Sequence, residues 1–259
     1  MKNAIEVRHL SKQYSGFALQ DVSFTVPCGS IMGFVGENGA GKSTLMKIFS
    51  GLYSIDSGDI FIDGQKVTIR NTKDSQDLGI AIIYQEFNLV PHLTVAQHIY
   101  LGREPLLKSG NIDKAKMRQD AQERLDFLKA HISADAEVAT LGVAQQQMVE
   151  IAKALSINAR VLIMDEPTSA LTAKEIDELF RIIRKLRDNG CGIVYISHRL
   201  EELQHIVDRV TIMRDGQYIT SMNFKETTMD EIITNMVGQE IKEQFPRVHC
   251  AKGPTIFEV

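Results

Sequence analysis

Four short apolar runs punctuate the chain: SIMGFVG at 30–36, GIAIIYQ at 79–85, RVLIMDE at 160–166 and GIVYISH at 192–198. Each is mostly apolar, often β-branched and without strict alternation, the pattern of parallel strands covered on both faces. Helical periodicity fills the intervals. In TAKEIDELFRIIRKL, Thr172 and Glu175 form a capping-box signature, and Ile176, Leu179, Phe180, Ile183 and Leu186 fall on one stripe. The pattern stops at Asn189-Gly190. Strands alternating with helices predict an α/β fold built on a mainly parallel sheet.

Such sheets bind ligands beyond the carboxyl ends of their strands, and each of the four runs ends in a chemically capable residue. The first leads into GENGAGKST, Gly36 to Thr44, which fits GxxxxGK[ST] between a strand and the apolar helix LMKIFS, stopped by Gly51. In this loop Gly36, Glu37, Asn38, Gly39, Ala40 and Gly41 let successive backbone N–H groups turn toward one centre. Lys42 reaches terminal phosphates, Ser43 can ligand Mg²⁺, and Ser43 and Thr44 open the helix whose dipole favours an anion. The P-loop NTPase class follows. Gln85, Asp165-Glu166 and His198 close the other three runs. Ser43, Gln85 and Asp165 are the candidate Mg²⁺ ligands, Glu166 the candidate polariser of an attacking water, and Gln85 and His198 are in reach of the γ-phosphate side. The plainer alternatives are a strand-end salt bridge for Glu166 and a core histidine for His198. A guanine-reading NKxD pattern is absent, since NTKD at 71–74 has the wrong order. Tyr14, in the loop before ALQDVSF, is the candidate aromatic for stacking on an adenine base.

Composition narrows the partners. With 259 residues, 44% of them hydrophobic, the chain can bury a full core. Lys+Arg 29 against Asp+Glu 33 gives a net charge of -4, without a basic run, so nucleic acid is not an expected partner. Cys28, Cys191 and Cys250 lack metal-ligand spacing and fit reduced thiols in a cytosolic protein. No apolar stretch of 18 residues occurs, and the N-terminus lacks a signal-peptide core. The chain is expected neither to span a membrane nor to be exported, although docking onto a membrane protein stays open.

The phosphate loop, Gln85 in IIYQEFNLVPHLTV, LGVAQQQMVEIAKAL at 141–155, VLIMDEPTSALT and YISHRLEEL stand in an order that resembles the ATP-binding subunits of ABC transporters. Within that family, QQQMVEIAKAL, DEPTSALT and ISHRLEE look most like the tandem ATPases of monosaccharide importers. The resemblance implies a RecA-like core, an antiparallel β subdomain near the N-terminus and a helical subdomain at about 88–155, together forming an ATP-binding domain over 1–240. It implies MgATP as the cofactor, with Gly36 to Thr44 as the Walker A loop, Gln85 as the Q-loop glutamine, Asp165 as the Walker B aspartate, Glu166 as the general base and His198 as the switch histidine. Tyr14 becomes the adenine-stacking aromatic, and Ser169 to Thr172 a D-loop in which Thr172 replaces the usual aspartate. The implied partners are membrane permease subunits met by the segment after Gln85, a second ATPase unit and, indirectly, a solute-binding protein. The implied location is the cytoplasmic face of the membrane.

In that family the signature sequence of one ATPase unit, usually LSGGQ or LSVGQ, covers the phosphate held by the other. Here Leu141-Gly142-Val143-Ala144-Gln145 occupies the position. Gly142 has no hydroxyl to donate, and Ala144 carries a Cβ where glycine would let the backbone approach. An asymmetric arrangement is expected: a competent Walker site, and a weakened signature facing the second one. Residues 241–259 lose periodicity and read as a linker, with FEV echoing IEV at 5–7 as the first strand of a second ATPase half. The competing readings are a nucleoside-importer ATPase, a soluble ABC-type ATPase outside transport, and a nucleotide-binding module without turnover.

Overall fold

The computed structural model describes residues 2–85 and 89–238. The proposed linker and second-half strand at 241–259 lie outside the described residues, as does the start of the segment that follows Gln85.

All four apolar runs form strands: β3 (Ile31–Val35), β6 (Ile80–Ile83), β7 (Val161–Asp165) and β8 (Gly192–Ile196). They pair in parallel as β3-β8-β7-β6, and β9 (Arg209–Arg214) joins β3 on its other side, also in parallel. The missing alternation in the sequence has a simple origin. Leu162 and Met164 of β7 enter one apolar cluster and Val161 and Ile163 enter the other, so both faces of the pleat are buried. Ile193 and Tyr195 divide from Val194 and Ile196 in β8 in the same way.

The first cluster packs under α3 (Val95–Ile99), α4 (Lys114–Leu128), α5 (Val143–Ser156) and α6 (Ala173–Asp188). The second packs α1 (Lys42–Phe49) against an antiparallel group, β1 (Asn3–Tyr14), β2 (Phe17–Pro27), β4 (Ser57–Ile62) and β5 (Gln65–Val67). β10 (Gln217–Asn223) pairs antiparallel with β9 and touches β2 at a single position, Gln217 opposite Gln20, which links the two groups into a ten-stranded order. Helices α3 to α5 sit in the crossover between β6 and β7, and α6 forms the crossover from β7 to β8. As the sequence predicts, α6 begins after Thr172, whose backbone N–H donates to Glu175 Oε2 at 2.8 Å, and ends at Asn189.

One correction concerns Tyr14. It is the last residue of β1 rather than a loop residue, because the β1–β2 hairpin closes tightly, with Tyr14 opposite Phe17 across Ser15-Gly16. Gly16, the second of the two turn residues, has a positive φ of 85°, which glycine adopts without steric cost.

Candidate functional site

Register brings the strand ends level. Phe34 of β3 pairs with Ile196 of β8, which pairs with Asp165 of β7, and Ile83 of β6 pairs with Met164. The residues after these positions therefore share one edge. They line a cavity of about 430 Å³ made by Phe17, Asn38, Gly39, Ala40, Gly41, Lys42, Ser43, Thr44, Gln85, Asp165, Glu166 and His198.

The glycine loop is shaped by close packing on one side and open space on the other. A Cβ on Gly36 would collide with the Met213 carbonyl, and one on Gly41, where φ is 103°, would meet Leu19 Cδ2 at 2.5 Å. Gly39, at φ 85°, faces nothing within 4 Å. Backbone is thus bare toward the cavity, as close approach to a phosphate chain requires. Lys42 opens α1 and folds back, donating to the carbonyls of Gly36 at 2.6 Å and Glu37 at 3.0 Å. Burial lowers the Lys42 pKa, while Asp165 and Glu166 oppose that shift. A partly buried ammonium resting on neutral carbonyls fits an anion. Asp165 is the converse: burial raises its pKa, Glu166 beside it raises it further, and Lys42 opposes. A carboxylate held this way is suited to a cation, so the residues present fit a nucleotide with its metal.

Glu166 lies between Gln85 and His198. Gln85 Nε2 donates to Glu166 Oε2 at 2.9 Å, and His198 Nδ1 lies 2.8 Å from Glu166 Oε1. The salt-bridge alternative for Glu166 is therefore realised in part, and with His198 64% exposed the contact contributes at most about 1 kcal/mol to stability. The backbone is the more informative feature. Glu166 has φ 47°, a left-handed conformation that costs about 1–3 kcal/mol in a non-glycine residue and clusters at functional sites. Its N–H donates to Ile196 O at 2.9 Å, extending the β7–β8 ladder by one residue while the chain turns away.

Of the sequence-predicted residues, Gly36 and Glu37 meet Lys42 through their carbonyls but do not line the cavity, and Tyr14 departs further. It does not line the cavity: its ring packs on Tyr53 with centroids 5.2 Å apart, and its hydroxyl is buried without a partner among the described residues. The aromatic beside the glycine loop is Phe17, across the hairpin turn. Its signal in the sequence was present but ambiguous, two aromatics flanking Ser-Gly.

The LGVAQ segment stands apart from this cavity. Gly142 is the N-cap of α5, extended at φ -68° and ψ 162°, and its N–H donates to Gln145 Oε1 at 3.1 Å. Val143 is exposed, and Gly142 offers no side-chain oxygen to the helix start.

Residues 19–169 match the family described as ABC transporter. The chain is 48% identical over 257 residues to a ribose import ATP-binding protein of Chromobacterium violaceum, covering 98% of this chain and 51% of that protein. It is 52% identical over 243 residues to a putative ribose/galactose/methyl galactoside import ATP-binding protein of Agrobacterium fabrum, covering 93% and 48%. The chain spans about half the length of the curated relatives it matches. Among solved structures, an ABC transporter ATP-binding cassette in its ADP conformation superimposes with a TM-score of 0.78 at 24% identity, covering 92% of this chain and 100% of that chain. A dimeric bacterial ABC transporter cassette gives 0.72 at 25% identity, covering 85% and 98%.

Proposed function

The chain belongs to the ABC transporter family, and from that premise we propose that it binds and hydrolyses MgATP to power import of a monosaccharide or sugar-like solute through a separate membrane permease. The observation that carries the reading is the single cavity in which the Lys42 loop faces a carboxylate, Glu166, held by both Gln85 and His198. The sugar specificity is supported by the names of the relatives, which concern proteins about twice as long.

When bound, MgATP supplies the phosphoanhydride whose hydrolysis releases the free energy. The chain's own groups divide the work. Gly36 to Gly41 would offer backbone N–H groups to the phosphates, Lys42 would pair with them, and Ser43, Gln85 and Asp165 would hold the cation. Glu166 accepts a hydrogen bond from Gln85 and lies against the His198 imidazole, contacts that orient it to polarise a water. Phe17, rather than Tyr14, provides the aromatic surface for the base. Residues at about 88–155 form the helical subdomain, which together with the segment after Gln85 meets the permease at the cytoplasmic face of the membrane. Among the described residues no helix is long and apolar enough to cross a membrane.

A second cassette completes the site, from a second copy or from another half of a longer chain. Gly142 to Gln145 face that second site with a weakened signature. Replacing Glu166 by Gln keeps the hydrogen-bonding shape and removes the base. The expected result is retained MgATP binding with hydrolysis reduced by about 10²-fold or more, measured by calorimetric titration and phosphate release. Hydrolysis at the unsubstituted rate would remove Glu166 from the proposed role.

A further inference from the structure

We propose that Glu202, on α7 (Leu200–Ile206), is a positioning residue that locks the turn after Glu166 to the turn before His198. It deepens the reading above and rests on it. The Thr168 hydroxyl lies 2.9 and 2.7 Å from the two carboxylate oxygens of Glu202. The Tyr195 hydroxyl donates to Oε2 at 3.0 Å, Ser197 Oγ lies 3.4 Å from the same oxygen, and Arg199 reaches Oε1 at 3.3 Å. Thr168 and Ser197 are 2% and 3% exposed and Tyr195 is fully buried, so these hydroxyls rely on the carboxylate as acceptor.

The positions of these donors give the cluster its meaning. Thr168 lies two residues beyond Glu166, in a turn closed by Ser169 N–H donating to Glu166 O at 3.2 Å. Ser197 immediately precedes His198, and its hydroxyl also accepts from Arg199 N–H at 3.0 Å. One carboxylate thus fixes both segments on which the Glu166–His198 contact depends, without itself lining the cavity. A carboxylate serving packing alone has no need of donors from these two turns. Because Glu166 sits in a left-handed conformation, its carboxylate moves when the following turn relaxes, and a displacement at a base of this kind costs rate rather than nucleotide affinity.

The test uses the full-length protein assembled with its membrane partner, comparing Glu202→Gln, Thr168→Val, Thr168→Ser and Glu166→Gln. Gln at 202 turns an amide N–H₂ toward existing donors, Val at 168 keeps the shape without the hydroxyl, and Ser at 168 restores it. The expected result is a kcat lowered about tenfold or more in Glu202→Gln and Thr168→Val, with ATP KM within about threefold, and near-normal kcat in Thr168→Ser. Unchanged kcat in Glu202→Gln overturns the proposal. So does an equal loss in Thr168→Val and Thr168→Ser, which would report packing alone. Should Glu202→Gln not fold, the Thr168 pair still decides. The Glu166→Gln control separates the levels: if it hydrolyses normally, the proposed site fails, whereas if it is inactive while Glu202→Gln is normal, only the positioning role is lost.

Discussion

Restoring the LGVAQ segment to the family pattern tests whether its departures matter. In the structure a Cβ on Gly142 would meet only Gln145 Oε1, at 4.0 Å, and the backbone there is extended, so Gly142→Ser introduces no clash. As an N-cap, serine is better than glycine by only a few tenths of a kcal/mol, and Ala144→Gly costs up to about 1 kcal/mol of helix propensity. The melting temperature should therefore move little, or fall slightly. Dimerisation should respond differently. A hydroxyl donating to a phosphate makes a hydrogen bond to a charged group, worth about 1.5–3 kcal/mol, which is roughly 10- to 150-fold in affinity per site. A homodimer contains the change twice. In a Glu166→Gln background with MgATP, light scattering over a concentration series should show the doubly restored chain dimerising at a concentration at least about tenfold lower than the parent. Identical dimerisation curves, with both proteins folded, would refute the reasoning and leave the Gly142 and Ala144 substitutions without consequence.

The two aromatics at the hairpin should separate cleanly. Phe17→Ala should weaken ATP binding by about tenfold, the scale of one base–aromatic stack, whereas Tyr14→Ala should lower the melting temperature through loss of its Tyr53 contact and leave affinity within about twofold of wild type. Titration calorimetry and thermal melts distinguish them, and the reverse pattern would reinstate Tyr14. Asp165 gives a pH prediction. Its pKa is raised by burial and by Glu166, so the fold favours the protonated form; the stability this contributes is full below the ordinary carboxylate range and is lost as pH rises through the elevated value. Asp165→Asn, neutral at every pH, should melt higher than wild type near pH 7 without nucleotide, with the gap closing toward acid, while losing the stabilisation by MgATP. An equal or lower melting temperature near pH 7 would count against burial as the dominant cause.

What the sequence disclosed depended on whether the deciding contacts were local. The phosphate loop is contiguous from Gly36 to Thr44, and the parallel strands were readable because burial on both faces leaves continuous apolar runs such as Val161 to Met164. The choice between Tyr14 and Phe17 was not local: it turns on Tyr53, which arrives after α1 and captures the Tyr14 ring. Glu202 carries no signal in RLEEL, because its donors come from β8 and from the turn after β7. The state of the charged groups was equally hidden. Lys42 rests on two carbonyls, and Glu166 on an amide and an imidazole. A hydrogen bond made by a charged group is worth about 1.5–3 kcal/mol, so the Lys42 ammonium on its two carbonyls is already charge-assisted. Anionic phosphate oxygens would add ion–ion attraction to that, and the loop carbonyls they displace would turn back to solvent. The cradle is held together by contacts weaker than those it is built to make.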